Sequence, residues 1–281
     1  MRVSPEILLL SAAAIWGFAF VAQVTGMEHV GPFAFNTVRF ALGALSLVPL
    51  ALWLGARMGA TAAAGMASRT DGGWFAAWRG AWVAAPFLFG GASLQQVGLL
   101  YTSASNAGFI TGLYIILVPL VGIVLGQRPA LAVWIGALLA VVGLYALSVR
   151  DGFTLSLGDS LQLAGAFCWA GHVLAIGHFS PRCDPLRLAI AQYTLCALAS
   201  AGLSLFLEKT SVAGLLAAAP SLAYAGIMSV GVAFTLQIVG QARVPPAPAA
   251  VIISLGPCSP PSAAGGCSTN GSTCAVWVVA R

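Results

Sequence analysis

The side chains able to do chemistry in this chain are a few polar residues inside long apolar runs. Arg39 lies about two helical turns into one run. If that run crosses a membrane, inserting a guanidinium at this depth costs roughly 2.5–3.5 kcal/mol of free energy. Arg39 either receives an anionic group of a solute through its fork of donors or has a structural or gating role. In the structural role it reaches the extracellular headgroups or pairs with helix-end carbonyls. Both interpretations stay open.

Glutamines recur in two later apolar runs, Gln95 with Gln96 and Gln237 with Gln241. In hydrocarbon an amide must find hydrogen-bond partners, so we expect each of them to face the helix bundle or a wet cavity. Hydrogen bonds between helices and the lining of a cavity account for them equally well.

The remaining candidates are aromatic side chains, an amide and an imidazole. Trp16 and Trp169 either pack in the bundle or stack on an aromatic or cationic solute. Tyr114 is placed to donate to a ligand, and Asn106 lies near enough to a predicted helix start to be a cap instead. His172 is the candidate proton carrier because no Asp or Glu lies deep in any run, with a hydrogen-bonded structural histidine as the alternative.

Enzyme chemistry finds no support in the sequence. It has no paired carboxylates inside a run, no His, Cys and Asp constellation for a metal, no GxSxG nucleophile and no phosphate-binding glycine loop followed by Lys. We therefore expect no enzyme activity, no cofactor and no metal. A polytopic membrane enzyme with an unrecognised site is the alternative.

Composition places these residues in a membrane. Of the 281 residues 59% are hydrophobic and only 7% charged, whereas a soluble domain has about a quarter charged. The net charge of +5 does not predict binding to nucleic acid, because Lys and Arg occur singly between apolar runs. Membrane lipid is the expected surrounding.

The apolar runs have about the length that crosses a bilayer and predict membrane-spanning helices. They cover residues 7–25, 33–54, 81–100, 104–125, 131–149, 160–179, 187–207, 222–241 and 247–255, the last being cut short. Residues 55–80, charged and rich in small side chains, predict a flexible surface loop.

The basic residues predict the orientation of these spans. With the N-terminus in the cytoplasm, only Arg150 and Lys209 lie on the opposite side. The cytoplasmic segments then contain Arg2, Arg57, Arg69, Arg79, Arg128, Arg182, Arg187 and Arg243.

The second half of the chain repeats the first. Trp16, Pro32 and Phe40 match Trp169, Pro185 and Tyr193 at one constant offset, and Leu94, Gln95, Val97 and Ala107 match Leu236, Gln237, Val239 and Ala249 at a slightly shorter one. Gln192 occupies the position in the second half that corresponds to Arg39 in the first, so the symmetry of the repeat does not require a charge at this position. Five spans, an odd number, in the first half predict that the second half is inverted, as in secondary carriers.

Four stretches within residues 7–255 carry a family resemblance. They are "AAAIWGFAFV", "FNTVRFALGAL", "SLQQVGLLYTSASNAGFITGLYIILVPLVGIVLGQRP" and "LQIVGQARVPPAPAAVIISL", and they resemble the EamA-type branch of the drug/metabolite transporter superfamily. The resemblance implies an all-α polytopic membrane protein of two inverted five-helix repeats, with ten helices in the family and about nine here. A central cavity would be lined by the first four helices of each half.

This resemblance implies a secondary transporter or exporter of small metabolites, such as amino acids or drug-like solutes, in the bacterial inner membrane. The expected partner is a small-molecule substrate, and a homodimer stays open. The candidate cavity residues are Trp16, Arg39, Gln95, Gln96, Asn106, Tyr114, Trp169, His172, Gln192 and Gln237.

The end of the chain departs from the family. After Leu255 it reads "GPCSPPSAAGGCSTNGSTCAVWVVAR", where the family has an acidic residue and Pro, the rest of a ninth helix and a tenth. We interpret this as an out-of-frame end, with a genuine short C-terminus as the alternative; resequencing the gene decides between them. We assign residues 1–149 to the first repeat, 150–255 to an incomplete second repeat and 256–281 to an irregular tail. With this tail we expect little or no transport, so an inactive remnant of a carrier is the alternative function.

Overall fold

The computed structural model describes residues 3–57, 73–148 and 156–254. Within these ranges the chain is helical and contains no strand. The helices are α1 (Pro5–Met27), α2 (Pro32–Arg57), α3 (Gly73–Gly98), α4 (Ala104–Gly112), α5 (Tyr114–Val124), α6 (Leu131–Ser148), α7 (Leu157–Phe179), α8 (Pro185–Leu207), α9 (Val212–Ala217), α10 (Ala219–Ala223), a π-helix (Tyr224–Phe234), α11 (Thr235–Gln241) and α12 (Pro246–Ile253). Two sequence-based assignments lie outside the described residues: the irregular tail, 256–281, and the boundary between the repeats at 149–150.

Each predicted span coincides with a helical segment. By length and composition six of these segments can cross a membrane, namely Pro5–Met27, Pro32–Leu54, Ala104–Val124, Leu157–Phe179, Pro185–Leu207 and Ala219–Gln241. Of the others, α3 is 26 residues long but less apolar, α6 has a shorter apolar stretch, and α12 has 8 residues. The prediction of an all-α polytopic membrane protein is confirmed.

The predicted surface loop, residues 55–80, is wrong at both ends. α2 continues to Arg57 and α3 begins at Gly73, while residues 58–72 lie outside the described part. Trp74 and Trp78 are exposed in the first turns of α3, as is typical of aromatic residues at the membrane interface. The tryptophans and the alanines between them extend the helix beyond the hydrocarbon part of the membrane. A search for continuous apolar runs does not detect such an extension.

Side-chain caps fix where several helices begin. The hydroxyls of Ser4, Ser103 and Ser211 each accept a hydrogen bond from a backbone N–H in the first turn of α1, α4 and α9. α7 begins with a capping box, in which Ser156 and Asp159 each accept from the backbone N–H of the other.

Large apolar side chains cover the outside of the bundle. Val124, Leu205 and Phe206 are all more than four-fifths exposed. Such a surface would be unfavourable in water, but it is the expected surface for a protein whose solvent is lipid.

The two halves pack on each other reciprocally. α2 and α8, which occupy matching positions in the repeat, are in contact, with the rings of Phe40 and Tyr193 6.4 Å apart. α3 packs on α7 and α8, and the π-helix packs in the same way on α1 and α2. Each half therefore supplies its third span to the first two helices of the other half.

One of these reciprocal contacts leaves no room for a side chain. A Cβ atom on Gly158, at the start of α7, would lie 2.7 Å from the carbonyl oxygen of Gly98 and 2.8 Å from the amide nitrogen of Thr102. The matching contact in the other half is also close, since a Cβ atom on Gly240 would lie 3.2 Å from the carbonyl oxygen of Pro5. The start of the first helix in each half thus meets the end of the third span in the other.

Gly158→Ala is expected to destabilise the protein by about 1–3 kcal/mol or more, because the obstructing atoms belong to the backbone and cannot turn aside. Thermal unfolding in detergent would show a lower midpoint. Gly202→Ala in α8 is the matched control, since nothing lies within 4 Å of its Cβ position, and its midpoint should be unchanged or slightly higher. Equal midpoints for the two variants would contradict the close approach at Gly158.

A carboxylate at the end of α8 caps the start of α2. The two oxygens of Glu208 accept hydrogen bonds from the backbone N–H groups of Phe33 and Ala34, at 2.9 and 2.7 Å. The hydroxyl of Ser204 donates a third hydrogen bond, at 3.1 Å. Because the N-terminus of a helix favours negative charge, Glu208 stabilises the junction between the two halves.

Glu208→Gln is expected to reduce the stability of the folded protein by about 1 kcal/mol, because the amide keeps an acceptor but loses the charge. The measurement is again the unfolding midpoint in detergent. Glu28→Gln serves as the control, since Glu28 is exposed at the end of α1 and the described residues give its side chain no partner. A Glu208→Gln protein as stable as the control would show that the charge at this cap is dispensable.

Candidate functional site

A cavity lined by both polar and apolar side chains lies between the two halves of the bundle. Its volume is about 80 Å³, which is large enough for several water molecules. Both halves contribute to its lining: Trp16, Ala19, Phe20, Gln23, Arg39, Gln95, Thr111, Tyr114, Trp169, His172, Val173, Ser229, Phe234, Gln237 and Ile253. A second groove, between α2, α9 and α10, is lined by apolar side chains alone and offers a solute no side-chain hydrogen bond.

Two spans that line the cavity are irregular beside it. The fourth span has a break in its α-helical hydrogen bonding at Leu113, between α4 and α5, where the N–H of Leu113 donates to the carbonyl oxygen of Ile110, three residues back. The backbone of Leu113 keeps helical angles, so the span continues. The eighth span contains the eleven-residue π-helix, which ends at Phe234. Tight turns within a helix and π-helical turns are both frequent at functional sites. The cavity therefore lies where the backbone departs from regular α-helix.

Arg39 is buried in the cavity wall, where it is 3% exposed. Its Nη1 donates to Oε1 of Gln23 at 3.0 Å, and the same oxygen accepts from Nε2 of Gln95 at 2.9 Å. The rings of Phe40 and Phe35 lie 5.0 and 5.9 Å from the guanidinium carbon. Within the described residues no Asp or Glu forms an ion pair with Arg39, and its Nε has no partner. The cavity thus contains a buried cation without a counter-charge, which is costly unless a bound anion supplies one.

Three rings, those of Trp16, Trp169 and Phe234, form an aromatic wall. Phe234 meets Trp16 edge-on, with ring centroids 4.6 Å apart, and stacks on Trp169 at 5.9 Å. Nε1 of Trp16 donates to the carbonyl oxygen of Ser229 at 3.2 Å, whereas Nε1 of Trp169 has no partner among the described residues. The tryptophans at matching positions of the two halves thus contribute to one cavity.

The polar groups on the α7 side of the cavity are only partly satisfied. Nε2 of His172 lies 3.1 Å from Oε1 of Gln192; because that oxygen accepts, Nε2 carries the proton. Nδ1 of His172 and Oε1 of Gln237 are buried and have no partner in the described part of the chain. Since buried polar atoms without partners are uncommon, these two atoms are polar groups beside the cavity that the described residues leave unsatisfied.

The structure brings most of the predicted residues together. Trp16, Arg39, Gln95, Tyr114, Trp169, His172 and Gln237 all line the cavity. Their part in binding a substrate stays a prediction.

Gln96, Asn106 and Gln192 do not line the cavity. Gln96 is buried, but it follows Gln95 and is therefore turned about 100° away around the helix. Gln192 is buried behind His172, and Asn106 is a first-turn residue of α4 whose N–H donates to the Ser103 cap.

Eight lining residues were not among the candidates, and three of them form hydrogen bonds or ring contacts of the site described above: Gln23, Ser229 and Phe234. Gln23 carries the same signal as Gln95, an amide inside an apolar run, and was detectable in the sequence. The positions of Ser229 and Phe234 depend on the π-helix, which leaves no such signal. Among the described residues, no group of three or more His, Cys, Asp or Glu side chains could hold a metal ion.

The apolar helices and the lipid-type surface define an integral membrane protein, and a cavity lies between its two halves. The sequence model of the EamA-like transporter family matches residues 3–149 and 156–259. The chain belongs to the EamA-like transporter family, and the sequence-based assignment is confirmed.

A relative supports this assignment, and a solved structure shares the fold. The chain is 32% identical over 210 residues to an uncharacterized transporter of Archaeoglobus fulgidus, an alignment that covers 73% of the chain and 59% of the relative. The chain therefore matches about three fifths of the relative's length. A crystal structure of a protein that is 21% identical in sequence superposes on this chain with a TM-score of 0.69. The alignment covers 92% of this chain and 85% of that protein's chain, which shows a shared fold.

Proposed function

We propose that this protein is a secondary transporter of small metabolites that works by alternating access. The observation that carries the proposal is a cavity between two reciprocally packed halves that holds the buried Arg39, with which no Asp or Glu among the described residues forms an ion pair. A solute bound there is shielded from lipid, and rocking of one half against the other would expose it to either side.

The inverted arrangement of the halves is part of this proposal. The first half has five helical segments, α1, α2, α3, α4 with α5, and α6, and an odd number reverses the direction of the next half. The reciprocal contacts of α3 and the π-helix support a two-fold relation. Residues 150–255 would then be the second, inverted repeat.

We place the protein in the inner membrane of a bacterium with its N-terminus in the cytoplasm. The basis is the distribution of basic residues. Arg128, Arg182 and Arg243 are exposed in three connections that this topology puts on the cytoplasmic side. Lys209, in a connection on the opposite side, is the described exception.

Solute flux into reconstituted vesicles tests the proposal. The protein, and a version whose C-terminal reading frame is restored, are inserted into lipid vesicles, and entry of labelled carboxylates, amino acids and organic cations is compared with entry into protein-free vesicles. Uptake of at least one class that saturates with solute concentration supports a carrier. Flux by the restored version alone would show that this chain is an inactive remnant, and folded protein without flux in either version would contradict the proposal.

A further inference from the structure

The cavity has an unbalanced charge. Arg39 is the one Lys, Arg, Asp or Glu side chain among its described lining residues, and protonation of His172 would only add positive charge. We propose that the cavity selects a monovalent organic anion, a carboxylate with an aromatic or other flat apolar group, over a zwitterion and over a cation. This inference rests on the proposed function, because it names the substrate class of the same cavity.

The Arg39 side of the cavity is suited to a carboxylate. The guanidinium has five N–H donors, and the structure gives it one hydrogen bond, to Gln23. Nε is buried without a partner, so donors are left for a carboxylate, which a guanidinium binds through two parallel hydrogen bonds. Oε1 of Gln23 accepts hydrogen bonds from both Nη1 of Arg39 and Nε2 of Gln95. The second bond holds the Gln23 amide with its oxygen toward Arg39.

The aromatic wall is suited to a flat apolar group. Its rings are contributed by α1, α7 and the π-helix, and they stack or meet edge-on with one another. A planar group extends such an arrangement, because offset-stacked and edge-on ring pairs are favourable. One cavity therefore combines a site for an anion with an apolar wall.

An ammonium group lacks a matching partner here. The anion neutralises Arg39, whereas a zwitterion leaves the buried site with a net positive charge and a cation doubles it. The unpartnered Oε1 of Gln237 is an acceptor for an N–H, but as a neutral amide it does not compensate charge. The aromatic rings attract cations. Tighter binding of a cation than of the anion would therefore show that this attraction outweighs the repulsion by Arg39.

Three probes with the same phenyl group and two-carbon chain test the selectivity. They are 3-phenylpropanoate, phenylalanine and phenethylamine, an anion, a zwitterion and a cation at neutral pH. Their binding to the purified full-length protein is measured in detergent, and their competition with labelled 3-phenylpropanoate is measured in vesicles. We expect the anion to bind at least tenfold more tightly than phenylalanine, and phenethylamine to bind more weakly than either.

Arg39→Gln should reduce the preference for the anion over phenylalanine to less than threefold. Equal or tighter binding of phenylalanine or phenethylamine by the unaltered protein, or failure of the anion to bind, would overturn the inference. Selective binding of the anion without flux of any solute would keep the inference and overturn the proposed transport. Flux of another class of solute, without a binding preference for the anion, would keep the proposed transport and overturn the inference.

Discussion

Arg39→Gln is expected to reduce transport of a carboxylate at least a hundredfold at low solute concentration. The substitution removes the charge that compensates the buried carboxylate together with most of the donors. Losing one partner of a buried, hydrogen-bonded charge pair costs about 2–5 kcal/mol, and 2.7 kcal/mol corresponds to about a hundredfold. Arg39→Lys should retain part of the activity, because it keeps the charge but not the fork of donors. Initial rates of uptake into vesicles measure both effects, in the version with the restored C-terminal reading frame if this chain does not transport.

The stability of the Arg39→Gln protein separates binding from a structural role. Since no carboxylate among the described residues pairs with Arg39, its removal should leave the unfolding midpoint unchanged or higher. Arg243→Gln is the control, because Arg243 is exposed in the connection before α12, and it should transport normally. Unchanged carboxylate transport by Arg39→Gln, or a lower midpoint together with the lost transport, would contradict a role in binding.

Trp16→Ala and Trp169→Ala are each expected to weaken binding of an aromatic carboxylate about tenfold, or about 1.4 kcal/mol. Each substitution removes one ring of the aromatic wall and its contact with Phe234. The corresponding Phe variants should retain most of the affinity, since a ring remains in place. The dissociation constant of 3-phenylpropanoate in detergent measures the effect.

Two controls make the tryptophan prediction specific. Trp82→Ala removes a ring of the same type that is 65% exposed on the outside of the bundle, and it should bind the aromatic carboxylate normally. A short aliphatic carboxylate should bind to Trp16→Ala nearly as well as to the unaltered protein, because it depends on Arg39 alone. Equal losses for both carboxylates would show that the substitution disturbs the fold instead of the wall.

Much of the helical architecture was predictable because the bilayer imposes a length on apolar runs. The internal repeat also predicted that Trp16 and Trp169 occupy corresponding places, and both line the cavity. The start of α3 was not predictable from apolar length, since Trp74 and Trp78 belong to the interfacial part of the helix.

The candidate site was predictable where a polar residue interrupts an apolar run. Arg39 and Gln95 show this signal, and so does Gln23, which was overlooked. The break at Leu113 and the π-helix were beyond the sequence, because each depends on backbone hydrogen bonds that packing selects.

The central claim, that this cavity opens to each side of the membrane in turn, is tested most directly by labelling a cysteine inside it. Ser229→Cys introduces a thiol of nearly the same size in the cavity lining, in a protein whose six cysteines have been replaced. A membrane-impermeant thiol reagent is added to one side or the other of vesicles with uniform orientation. We predict labelling from both sides, slowed from both sides by 3-phenylpropanoate. Labelling from one side only, or labelling that the solute does not slow, would contradict alternating access through this cavity.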